Sequence, residues 1–131
     1  MPVPSPAAEA RVEPGIWTYQ VDTRGSRALF GREGSDAVLV LRCDRNPHRV
    51  FLSVRGSDPD TLTLRATSAT KAFAARPTGT TAYIAFEIAP TDAILDAVAF
   101  SRGRFTAVVG ARQMVLPIWP EFTRVVEDCR G

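Results

Sequence analysis

From residue 16 to residue 88 the chain alternates apolar and polar positions with the two-residue period of β-strands. Ile16–Val21 begins the series, with Trp17 and Tyr19 on one face. Arg27–Arg32 is a short apolar run between Gly25 and Gly34. Ala37–Cys43 is rich in branched residues and puts Leu39, Leu41 and Cys43 on one face. Asn46-Pro47 signals a turn, and Arg49–Arg55 follows with Val50, Leu52 and Val54 in phase. After a second turn at Gly56–Asp60, Thr61–Ala66 turns Leu62, Leu64 and Ala66 inward. Lys71–Ala75 is a weaker strand, Pro77-Thr78-Gly79 turns the chain, and Thr81–Ile88 points Ala82, Ile84, Phe86 and Ile88 inward.

Beyond residue 90 the period changes. The Thr91 hydroxyl can cap a helix whose positive end suits Asp92, and Ile94, Leu95 and Val98 share one helical face. Gly103 ends that unit. Arg104–Val109 and Gln113–Ile118 form a hairpin across Gly110-Ala111. Pro120 suits a first helical position, and Phe122, Val125, Val126 and Cys129 then recur at helical spacing. The pattern predicts a mainly β fold, an antiparallel β-sandwich of about 7–9 strands with one short internal helix and a short C-terminal helix. The βαβ alternation of a parallel doubly wound sheet is missing.

At 131 residues with 45% hydrophobic content, the chain suits one domain with a core of its own. Residues 1–14, rich in Pro, Ala and Glu, read as a flexible N-terminal segment before a single domain over 15–131. No signal peptide and no membrane-spanning run is recognisable in the chain. Residues 1–14 read as what remains once a signal sequence is removed; the alternative is a native Met1 and a cytosolic protein. The net charge of +2 gives no pull toward nucleic acid. Lys71 is the only lysine, and the arginines scatter through every segment, as codon bias in a GC-rich genome would have them, rather than forming a basic patch.

Two cysteines, Cys43 on a strand's apolar face and Cys129 on a helix's apolar face, both point inward. The favoured reading is a Cys43–Cys129 disulfide, the alternative two inert buried thiols; a bridge implies an oxidising compartment, in a bacterium the periplasm or cell surface. One histidine, His48, is too few for a zinc site, and no CxxC, HExxH, GxSxG, Walker or dinucleotide-binding motif occurs, so no metal or cofactor is expected. A hydrolase would depend on His48, in a turn beside Asp44 and Arg49. Glu87, Asp92, Asp96, Glu121, Glu127 and Asp128 are the acidic candidates, with no acid–base spacing among them; Glu121 and Arg124 read as a surface pair, and Arg124 and Arg130 as offsets to the acids late in the last helix. Ser101-Arg102-Gly103-Arg104 has the composition of a small anion-binding turn, with two guanidiniums and exposed amides, or of a solvated turn. In Leu116–Pro120 two prolines hold Trp119 between them, either as an exposed binding edge or, the favoured reading, as a plug at the end of the core. Arg102, Arg104 and Trp119 make up the candidate binding surface.

Asp96-Ala97 in a helix, then Phe100–Phe105, a hairpin ending Leu116-Pro117 and a short helix to Cys129 resemble the invasion-associated locus B family of α-proteobacteria. Small sphingomonad envelope proteins of the same layout are more similar still. The likeness spans roughly residues 16–130, on short motifs. It implies an exported β-sandwich without established catalysis, with Ser101–Phe105 as the family's Arg-Gly turn and Phe122–Cys129 as its terminal helix. The chain departs from many members in lacking a cysteine shortly after Trp17. The expectation is a periplasmic or secreted, non-catalytic binding or accessory protein of the bacterial envelope, with a protein partner and no nucleic acid. The alternatives are a structural component of an envelope complex, held by an exposed apolar patch, and a small hydrolase using His48.

Overall fold

A computed structural model describes residues 11–56, 61–76 and 82–131. The turns expected at Pro77-Thr78-Gly79 and over residues 57–60 lie outside the described residues. Among the described residues are nine strands and two helices: β1 (Ile16–Val21), β2 (Gly25–Gly31), β3 (Leu39–Asp44), β4 (Arg49–Arg55), β5 (Leu62–Arg65), β6 (Thr70–Phe73), β7 (Tyr83–Ile88), α1 (Ala93–Ala99), β8 (Arg104–Val109), β9 (Arg112–Pro117) and α2 (Pro120–Asp128). The fold is mainly β, as the periodicity predicts. Several boundaries move by a residue or two: β2 starts at Gly25 rather than Arg27, β3 at Leu39 rather than Ala37, and β9 at Arg112 rather than Gln113.

The strands form two antiparallel sheets, one of five strands ordered β1-β2-β3-β4-β7 and one of four ordered β6-β5-β8-β9. Alternation sets their inner faces. Leu39, Leu41 and Cys43 lie inward opposite Val54, Leu52 and Val50, which in turn face Ile84, Phe86 and Ile88. Leu62 and Leu64 of β5 meet Val109 and Ala107 of β8. Two sheets each apolar on one face bury those faces against each other as a sandwich.

Single bridges join the sheets at both margins. Arg76, after β6, pairs with Ala85 of β7, and Val12 pairs in parallel with Val115 of β9. The segment expected to be flexible, 1–14, is thus fastened at its inner end: Val12 is bridged and the Glu13 amide donates to the Val115 carbonyl at 2.7 Å. Such closure limits the unpaired edge a sheet offers to other chains.

The helices close one end. Asp92, not Thr91, is the N-cap of α1: its Oδ1 accepts the Ile94 amide at 2.9 Å, while its other oxygen takes the Lys71 ammonium. Carboxylate there both satisfies an orphan amide and faces the positive end of the helix dipole. In α2 the predicted stripe holds, with Phe122, Val125, Val126 and Cys129 buried. Phe122 sits between Trp17 and Phe105, with ring centroids 5.9 and 5.6 Å away, and Trp17 stacks on Phe30 at 5.3 Å. Trp17 Nε1 donates to the Pro117 carbonyl at 2.8 Å, so the indole spans both sheets. The plug at this end of the core is therefore Phe122 with Trp17. The favoured placing of Trp119 there is corrected, since Trp119 is 38% exposed. It lies three residues before Phe122, but its extended backbone (φ −122°, ψ 163°) takes it off the helical stripe and turns it outward.

Candidate binding surface

At the end of α2, Cys129 meets Cys43 of β3 with sulfurs 2.12 Å apart and Cα atoms 5.5 Å apart, a disulfide-distance pair. The pairing of β2 with the strand that carries Cys43 depends on Gly25, the register partner of Asp44: a Cβ there would stand 1.9 Å from the Cys43 carbonyl oxygen. Beside the pair, Asp128 Oδ2 accepts both the buried Ser26 hydroxyl, at 2.7 Å, and the Tyr19 hydroxyl. Burial of Tyr19 and its bond to the Asp128 carboxylate raise the phenol's pKa. The Arg124 guanidinium lies 4.2 Å from the centre of the Tyr19 ring, a cation–π contact. Of the two acids late in α2, Asp128 is thus bonded by hydroxyls from β1 and β2. Arg130, expected to offset them, instead pairs with Asp96 of α1 at 2.6 Å and donates to the Pro90 carbonyl.

Glu87, like Asp92 and Asp96, joins separate elements, whereas Glu121 makes no ion pair with Arg124 or any other described residue. Arg49 grips Glu87 through two bonds of 2.9 and 2.8 Å, joining β4 to β7, and holds that carboxyl below its usual range. Asp22 takes two bonds from Arg42 together with the Gly25 and Arg24 amides, and its pKa is driven far down. His48 is exposed in the turn after β3, and among the described residues no carboxylate forms a hydrogen bond or ion pair with it. Its neighbour Asp44 is bound by Arg24 at 2.8 Å. Among the described residues no cluster of three or more His, Cys, Asp or Glu side chains could hold a metal ion. No described helix is long and apolar enough to cross a membrane.

The Ser101–Arg104 turn is not an anion cradle. Ser101 is buried; its hydroxyl accepts the Thr67 amide at 3.0 Å and donates to the Arg104 carbonyl at 2.6 Å. Thr67 Oγ1 takes the Arg102 amide at 2.9 Å, and the Gly103 amide bonds back to the Ser101 carbonyl. The amides an anion would need are spent on the turn, which the sequence could not show because Thr67 is 34 residues away. The guanidiniums of Arg102 and Arg104 stay exposed.

What the turn does is fix the residue before it. Phe100, the C-cap of α1, is 80% exposed, and its amide is held by Asp96. Its predecessor Ala99 lines a shallow groove with Ile118, Trp119, Pro120, Thr123, Arg124 and Glu127. The Ile118 amide donates to the Gly103 carbonyl at 3.0 Å, which brings the turn against the groove's margin. Trp119, Arg102 and Arg104 of the expected surface therefore lie around one end of the molecule. Sequence reasoning passed over Phe100, an apolar residue at the end of a helix whose inward positions were already filled by Ile94, Leu95 and Val98.

Comparison of the chain with protein-family models, with curated protein sequences and with solved structures gave no match.

Proposed function

We propose that this protein is an exported, non-catalytic binding or accessory module of the bacterial envelope, and that the groove beside α2 is its binding surface. The observation that carries the reading is the pairing of two exposed aromatic side chains, Phe100 and Trp119, with an open groove on a rigid support. Large aromatics held in water at the rim of a groove are typical anchors of protein–protein contacts. The acidic candidates Glu87, Asp92, Asp96 and Asp128 all serve structural bonds, which supports a binding rather than a catalytic role. Export draws support from the cysteine pair, which persists as a disulfide in the periplasm or outside the cell. The likeness of the Phe100–Phe105 turn and the terminal helix to the invasion-associated locus B family points the same way.

A photo-crosslinking residue at position 119, introduced in the native envelope, tests the surface. The expected result is a discrete adduct from position 119 and none from Thr63, on the outer face of the four-stranded sheet. Equal labelling from both positions, or none from 119, overturns the proposal.

A further inference from the structure

Resting on the reading of that groove as a binding surface, we infer that its occupant is a second copy of this chain, docked about a two-fold axis with Phe100 of each copy in the groove of the other. Three observations converge. First, knob and groove adjoin: Phe100 projects into solvent and the preceding Ala99 forms part of the groove wall. A projection beside a depression lets two copies engage reciprocally, which is the condition for a closed two-fold contact.

Second, the backbone that carries the knob is already fixed. The Phe100 amide is bonded to the Asp96 carbonyl, the Ser101 amide to the Val98 carbonyl, and Ser101 is buried and tied to Thr67. Docking then orders the phenyl ring but little backbone, so a small contact retains more of its apolar gain.

Third, the patch carries one unpaired cation and one unpaired anion, while the wall's other charge, Arg124, lies over the Tyr19 ring. Arg102, two residues past the knob, is exposed and its guanidinium has no bonding partner among the described residues. Glu127, on the groove wall, is exposed and its carboxylate likewise has none. Seating Phe100 in the opposing groove carries Arg102 toward Glu127, and the two-fold repeats the pair. Opposite charges at the rim of a contact fix register and reject wrong partners.

Sedimentation velocity over a concentration series of the intact, oxidised chain tests this. The wild type is expected to move from monomer to dimer with rising concentration, and Phe100→Asp to remain monomeric throughout. Arg102→Glu and Glu127→Arg are each expected to weaken the dimer about tenfold, because each sets like charges opposite each other at both rims. Mixed in equal amounts, these two variants are expected to recover wild-type association, since both rims of the mixed pair then join opposite charges. All three positions substituted are exposed, and circular dichroism verifies the fold. A wild type that stays monomeric, a Phe100→Asp variant that dimerises normally, or a mixture no tighter than either variant alone overturns the inference. A monomer that still forms a discrete adduct with another envelope protein through position 119 overturns the second copy as occupant and leaves the binding surface standing. A monomer with no adduct removes both.

Discussion

Ser101 has the chemistry of a surface-turn residue, yet it is buried and carries three contacts that hold the turn: the Thr67 amide, the Thr67 hydroxyl and the Arg104 carbonyl. Truncation to alanine removes these three part-buried hydrogen bonds. The expected cost is about 1–3 kcal/mol, measured as a lower urea midpoint at unchanged slope. A solvated turn would lose nothing measurable. The same network decides what Arg102 and Phe100 can do, because it spends amides of the turn and fixes the backbone beside Phe100. Asp92 and Trp119 teach the same lesson at single positions. For the cap, two adjacent candidates existed, and the choice fell to the carboxylate that could also reach Lys71. For the tryptophan, one extended residue before the helix reversed its direction.

Helix α2 is the element on which the candidate surface depends, since Pro120, Thr123, Arg124 and Glu127 line the groove. It is held by its apolar stripe, by hydroxyl bonds from Tyr19 and Ser26 to Asp128, and by the Cys43–Cys129 pair. With the cysteines separated by 86 positions, a bridge contributes about 4–5 kcal/mol in the chain-entropy account. Protein expressed in an oxidising compartment and denatured without reductant is expected to show no free thiols. Replacing both cysteines by alanine is expected to lower stability by up to about that amount. The near-ultraviolet signature of Trp17 is expected to survive, because Phe122 and the Asp128 bonds still dock the helix. Loss of that signature in an otherwise folded chain would show that the bridge alone positions α2. Two free thiols would remove the bridge and move the protein toward a cytosolic β-domain.

For the molecule as a whole, carboxylate–arginine pairs join elements far apart in sequence: Asp22 to Arg42, Glu87 to Arg49, and Asp96 to Arg130. In each the arginine's hydrogen bond holds the carboxyl's pKa below its ordinary value. A depressed folded-state pKa gives stability that is present above the unfolded value, about 4, and is lost as pH falls through the folded value. The expected result is a stability plateau near neutrality and a decline that begins below about pH 4. The decline is expected to shrink in Glu87→Gln, read by urea midpoints at pH 7 and pH 3. An unchanged acid decline in that variant would mean the Arg49–Glu87 pair contributes nothing. Solvent screens these partly exposed pairs, so each effect is small.

The strands, both helices, the apolar stripe of α2 and the inward direction of both cysteines follow from the sequence by itself, because they rest on periods of two and 3.6 residues within a few neighbours. Leu39, Leu41 and Cys43, or Phe122, Val125, Val126 and Cys129, carry their burial in their spacing. Only the tertiary structure decided that β4 skips two strands to pair with β7, and that β5 skips two to pair with β8. It also decided that Asp128 meets Tyr19 and Ser26 across more than 100 residues, and that Thr67 occupies the Arg102 amide of the Ser101–Arg104 turn. Register and long-range polar pairing depend on which faces meet once the sheets close. The direction of Trp119 depends on where one backbone leaves the extended state, and local spacing encodes neither.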